Sequence, residues 1–207
     1  MLKIQLMKPA KHAIARPLRG RAMACFADTN WALRTPHYLL SSIPMLPPDS
    51  FKSIMRRWAA TVNVITTRTD DMIYGLTATA FSSLSAEPPL VFVCVNRKSR
   101  THSLIEKSGI FCVNFLAPDM KHISDRFAGR VPDEERFKDL AYRTESTGAP
   151  VLNDAVAFLD CTVHETFASG DHTIFVGLVQ AGAVQKPDAE PLLYFSGKYR
   201  TLGEEIA

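Results

Sequence analysis

The chain is expected to fold as a mainly β domain, an antiparallel Greek-key barrel with short helices at its periphery. Three observations lead there. Apolar, β-branched runs recur from residue 61 onward, among them TVNVITT, LVFVCV, IFCVNFL and HTIFVGLVQ, each bounded by Pro, Gly or polar turns. Helical periodicity is confined to short stretches between them. The regular strand–helix alternation of a doubly wound sheet is missing, and no GxGxxG follows a strand, which argues against a Rossmann cradle.

Length and charge fit that class. At 207 residues and 23.0 kDa the chain suits one domain, and a domain of this size buries roughly 70% of its unfolded surface. A content of 46% hydrophobic and 22% charged residues is ordinary for a globular protein, and no run approaches the ~20 apolar residues of a membrane span. The net charge of +3 is unevenly spread: residues 1–48 carry seven Lys or Arg against Asp28, leaving −3 for the remainder. Nothing after residue 48 forms the dense basic patch of a nucleic-acid surface. Cys25, Cys94, Cys112 and Cys161 form no CxxC pair, and the last three sit in apolar runs where a reduced thiol packs as a small hydrophobe. A cytoplasmic protein is expected. His12, His37, His102, His122, His164 and His172 lack metal-ligand spacing, so no metal site is expected.

Residues 1–46 are Arg-rich, acid-poor and broken by Pro and Gly, and read as a disordered extension set apart from the fold. Their composition partly resembles a transit peptide, while Met23 and Met45 are alternative starts. The domain is assigned to 47–207. There, PPDSFKSIMRRWAATV offers Asp49 or Ser50 as N-cap, with Phe51, Ile54, Met55 and Trp58 at helical spacing, and predicts an amphipathic helix lying on the core. TVNVITT and MIYGLTATA then predict a hairpin, with Gly75 marking a bulge or a close backbone approach. Pro88 and Pro89 lack ladder donors, so FSSLSAEPP is expected as a loop at the sheet edge.

LVFVCV predicts a buried strand. NRKSRTHSLIEKSG follows as a short helix capped at Ser99 or Thr101 and stopped by Gly109. IFCVNFL is another strand, APDMKHISDRFAGR a second short helix ended by Gly129, and VPDEERFKDL a charged loop. AVAFLDCTVHETFAS and HTIFVGLVQAGAVQ predict a hairpin around Gly170–His172. PLLYFSGKYRTL closes the fold with one more strand. The stretch Gly75–His102 stands out chemically, because small residues and hydroxyls from Thr77 to Ser85 precede a rigid apolar strand. Such a block offers backbone N–H groups and hydroxyls to a bulky ligand with an anionic tail, although hydroxyls are also ordinary in turns.

The ordered series ITT, GLTATAFSSLS, PPLVFVCVNRKS, FCVNFL, FAG, ERF, FLDCTV, GDHTIFVG and PLLYFSGKYR resembles the flavin reductase-like family, the reductase components of two-component flavin monooxygenases. The resemblance spans about residues 50–202. It implies a six-stranded split barrel, a homodimer, FMN or FAD near the dimer interface, and hydride transfer from NADH or NADPH to a flavin passed to a partner monooxygenase. It further implies flavin contacts at Thr77, Ala78, Thr79, Ala80, Ser82 and Ser83, and at Phe127, Ala128 and Gly129. Asn96, Arg97 and Ser99, at a strand end and helix start, suit the ribityl chain and phosphate. His172 is the expected nicotinamide contact, with Gly170 and Asp171 in the same turn and Asp171 able to orient the imidazole. Tyr199 and Arg200 could reach the adenylate or flavin tail. Phe127 and Tyr199 are equally readable as packing residues. Two other functions remain open: a non-catalytic flavin-binding or storage protein, and a flavoprotein oxidoreductase acting directly on an organic substrate.

Overall fold

A computed structural model describes residues 45–205. The extension expected over 1–46 therefore lies outside the described residues except for Met45 and Leu46, as do Cys25, His12 and His37.

Helix α1 (Pro48–Met55) opens the domain. Its N-cap is Pro47, not Asp49 or Ser50, because Pro48 occupies the first turn, where its missing N–H costs nothing. The expected placement of this helix is overturned: none of its residues is buried, and Phe51, Ile54, Met55 and Trp58 are 47–70% exposed.

Strand β1 (Ala60–Thr61) leads into β2 (Asn63–Arg68) and β3 (Ile73–Ala78), which form the expected hairpin. Pairing runs unbroken through Gly75, so this glycine marks a close approach and no bulge. A Cβ there would lie 2.9 Å from the Ile65 carbonyl oxygen and 3.0 Å from the Phe127 ring. Residues 81–89 are not a loop. Strand β4 (Phe81–Ala86) pairs with β5 (Pro89–Asn96), and Glu87–Pro88 is the turn between them. The prolines are tolerated because Pro88 lies in the turn, Pro89 opens its strand, and β4 is an edge.

Helix α2 (Arg100–Ser108) is capped by Ser99, whose Oγ accepts the His102 N–H at 3.2 Å, and ends at Gly109 with φ 69°. After β6 (Ile110–Phe115) come a 3-10 turn (Pro118–Met120), α3 (Lys121–Asp125) and a wide turn (Arg126–Arg130) closed by Gly129 at φ 85°. The charged loop is followed by a small unforeseen ribbon, β7 (Tyr142–Thr144) with β8 (Pro150–Leu152). Strands β9 (Ala157–Ser169) and β10 (His172–Val184) make the long hairpin. The closing segment holds two strands where one was expected, β11 (Leu193–Phe195) and β12 (Lys198–Arg200), since Ser196 and Gly197 both take the positive φ of a two-residue hairpin turn.

The main sheet is antiparallel, with order β3-β2-β6-β9-β10-β5-β4. Its edges β3 and β4 are joined by only Thr79 and Ala80, a link that reaches about 7 Å. The edges must therefore meet there, and the sheet rolls into a barrel. Seven strands stand where six were expected because the continuous segment TATAFSS bends from one edge to the other and counts twice. Period-two alternation divides the core: Ile65 points among Val93, Phe111 and Phe175 inside the barrel, while Val64 joins Leu116, Ile123 and Phe127 under α3.

Candidate functional site

Where β3 passes into β4, the barrel opens on a cavity of about 460 Å³, a size suited to a cofactor or substrate. Its walls come from four segments distant in sequence. Thr77, Ala78, Thr79 and Ala80 supply one side, Asn96 and Ser99 the end of β5 and the cap of α2, Phe127, Ala128 and Gly129 the turn after α3, and His172 the start of β10. Gly75 explains how the third segment reaches the first, since the missing Cβ lets the Phe127 ring lie against β3.

Seven other expected positions do not line this cavity. Ser82 and Ser83 are exposed on β4, whose pairing with Phe92 and Val91 carries it away from the Asn96 end of β5. Arg97 braces the β9–β10 turn: its Nη2 donates to the Gly170 carbonyl at 2.9 Å and its N–H to the Asp171 carbonyl at 3.0 Å. Gly170 and Asp171 stand behind His172. The Asp171 carboxylate accepts from His172 Nδ1 at 2.7 Å, and this hydrogen bond holds its pKa below the usual carboxylate range. With Nδ1 so engaged, Nε2 is the free nitrogen of the neutral ring.

Tyr199 lines a neighbouring cavity of about 410 Å³ that shares Thr77, Thr79 and Ala128 with the first. Its hydroxyl donates to Asp125 at 2.8 Å and lies 2.9 Å from Ser124 Oγ. Thr77 Oγ1 in turn donates to the Ser124 carbonyl at 2.6 Å, so Tyr199 buttresses the cradle from behind. Arg200 lines neither cavity.

Sequence reasoning missed Tyr74, Cys94, Arg100, Thr101 and Arg136, all in the cavity wall. Arg136 is the most informative, because it lies in the segment read as a charged loop. It donates to the Gly75 carbonyl at 2.8 Å and pairs with Asp133 at 2.9 Å. Its guanidinium carbon is 4.8 Å from the centre of the Tyr74 ring, and that of Arg100 is 5.4 Å away. Burial, then a hydrogen bond to Asp133, pushes the Tyr74 phenol up to about 12. The same hydrogen bond, reinforced by Arg136 and Arg100, holds the Asp133 carboxyl below its ordinary range. Burial also raises the Cys94 thiol, which keeps it protonated and unreactive. The Thr101 hydroxyl and the Arg136 Nε are buried without a hydrogen-bond partner, and orphans of that kind call for an acceptor from a ligand. The wall thus offers hydroxyls, backbone groups, one imidazole and two guanidinium ions to a ligand that is flat at one end and anionic at the other.

Comparison with known proteins agrees with that chemistry. The family described as Flavin reductase like domain matches residues 55–203. The chain is 35% identical over 161 residues to the flavin-dependent monooxygenase reductase subunit HsaB of Mycobacterium tuberculosis, covering 77% of this chain and 85% of that protein. It is 34% identical over 172 residues to the FMN reductase (NADH) RutF of Variovorax paradoxus, covering 83% and 95%. Among solved structures, flavin reductase PheA2 in its native state superposes with a TM-score of 0.70 at 36% identity, over 77% of this chain and all of that one.

Proposed function

The chain belongs to the flavin reductase-like family, and we propose that it is an NAD(P)H:flavin oxidoreductase that reduces FMN or FAD and releases the reduced flavin to a partner monooxygenase. One observation carries this: the Thr77–Ala80 bend, the start of α2, the Phe127–Gly129 turn and His172 converge on a single cavity. The relatives named as a monooxygenase reductase subunit and as an NADH-dependent FMN reductase support the same activity and the flavin-transfer partner.

The flavin supplies the redox chemistry, accepting a hydride from reduced nicotinamide and a proton from solvent. The protein supplies position and charge. Backbone N–H groups between Ala78 and Ala80 suit the electron-rich pyrimidine edge, where negative charge grows during reduction. His172, held by Asp171, is placed to hold the nicotinamide carboxamide through Nε2. Asn96 and Ser99 suit the ribityl tail. None of these groups needs to exchange a proton with substrate, in keeping with a reaction whose essential step is a hydride passing between two stacked rings.

The active form in this reading is a homodimer. The uncovered apolar face of α1, with Phe51, Met55 and Trp58 beside Thr79 and Tyr194 in one hollow, is the surface a second copy would cover, close to the flavin cavity. We place the protein in the cytoplasm, where reduced nicotinamide is made and where Cys112 and Cys161, both buried with raised pKa values, stay reduced.

Steady-state oxidation of NADH and NADPH with FMN, FAD and riboflavin tests the function. Rapid turnover in which most of the flavin is reduced and found free in solution supports it. Flavin that binds tightly yet is never reduced would point to a storage protein. Repeated reduction of an organic acceptor with no flavin released would point to a direct oxidoreductase.

A further inference from the structure

The anionic end of the cavity carries more detail than a general affinity for flavin. Helix α2 presents its N-terminus there, with no acidic residue in its first turn, so its free N–H groups favour an anion. The Thr101 side chain belongs to that turn. Only 1% exposed, it lines the cavity with an unpartnered Oγ1. Across the cavity, Arg136 holds its unpartnered Nε in the same wall.

Arg100 differs from Arg136 in how firmly it is held. Arg136 is 12% exposed and fixed at 2.8 Å to the Gly75 carbonyl and 2.9 Å to Asp133. Arg100 is 50% exposed, and its polar contacts are long, 3.4 Å to Asp133 and 3.5 Å to the Met72 sulfur. One carboxylate serves two guanidinium ions, and it serves Arg136 better. Arg100 is therefore a cation at the cavity mouth with a weak partner to give up.

We infer that this corner is a receptor for a terminal phosphate monoester, in which Arg100 exchanges Asp133 for the phosphate, and that it sets the preference among flavins as FMN over FAD and riboflavin. The inference rests on the flavin reductase reading above. A monoester carries about −2 charge near pH 7 and three acceptor oxygens, enough to meet Arg100, the Thr101 hydroxyl and the α2 N–H groups together. In FAD the same phosphorus is esterified twice and keeps one charge, and riboflavin has no phosphate. Arg97, the arginine the sequence suggested, is already bonded to the β9–β10 turn.

The phosphate could instead be the 2′-phosphate of NADPH, so the experiment has arms for both. Riboflavin, FMN and FAD are titrated against the apoprotein by flavin fluorescence, for the wild type, Arg100→Gln and the control Arg97→Gln. KM values for NADH and NADPH are measured on the same samples. The expected result is that Arg100→Gln lowers the ratio of FMN to riboflavin affinity by roughly tenfold, the size of a lost charge-assisted hydrogen bond. Riboflavin binding and NADPH KM stay constant, and Arg97→Gln leaves the flavin ratio as it was. FMN binding should also weaken with salt while riboflavin binding does not. An unchanged FMN-to-riboflavin ratio in Arg100→Gln overturns the inference while leaving flavin reduction intact. A selective rise in NADPH KM overturns the assignment to FMN. A protein that binds and reduces no flavin overturns the functional reading itself, a result distinguishable from the other two.

Discussion

At the residue scale, this site is governed by small differences in how tightly a side chain is already engaged. His172 is held by Asp171, and Asp171 is framed by Asn96 and Arg97 through the same turn. Replacing His172 by Ala should raise the nicotinamide KM about tenfold, the worth of one hydrogen bond to a bound ligand, with little change in flavin affinity. Steady-state kinetics beside flavin titration separates the two. Gly75→Ala places a methyl against the Ile65 carbonyl and the Phe127 ring, and overpacking of that kind costs ~1–3 kcal/mol. Denaturant unfolding reads the cost directly. Asp133 gives a pH signature. Its folded pKa is depressed by Tyr74 and then by the two arginines, so its stabilisation is present above the unfolded value near ~3.9 and is lost as pH falls through the folded value. Asp133→Asn should flatten the acid-side decline of thermal stability below about pH 4.

At the scale of elements, α2 joins the fold to the ligand. Ser99 both caps the helix and lines the cavity. Ser99→Ala should cost ~1 kcal/mol of stability and weaken FMN binding in the same variant, whereas Ser103→Ala, exposed on the helix side, should do neither. The capping pattern of α2 was plain in the sequence, since Ser99 and Gly109 announce both ends. The strand character of 81–86 was hidden by its prolines, because a proline argues against a strand only where the ladder needs its N–H, and edge position is a property of the whole sheet. Arg136 was hidden for a related reason. A charged loop is read as solvated until the fold shows which single guanidinium turns inward.

At the scale of the molecule, α1 is a helix whose apolar stripe has no partner within the described chain. Its periodicity showed that a stripe exists and could not show what covers it. If a second copy does, Ile54→Ser with Trp58→Ser should shift the protein toward monomer in sedimentation velocity and lower flavin affinity, with the monomer fold kept, because none of these side chains is buried in it. We also propose that residues 1–46 stand apart from the catalytic domain, which clusters as Leu46–Ala207. A protein starting at Pro47 should keep the melting temperature and flavin reductase activity of the full chain.

The sequence by itself determined what depends on local chemistry and order along the chain: β class, hairpin partners, helix caps, and a family signature whose segments recur in a fixed sequence. The cradle residues Thr77–Ala80, Asn96, Ser99, Phe127–Gly129 and His172 were legible for that reason. Only the tertiary structure decided which arginine faces the ligand, which serines follow the edge strand away from it, and that Tyr199 supports Thr77 from an adjoining cavity. Those outcomes depend on how a sheet with two residues between its edges closes on itself. Closure sets the direction of each side chain near the seam, and no local pattern encodes that direction.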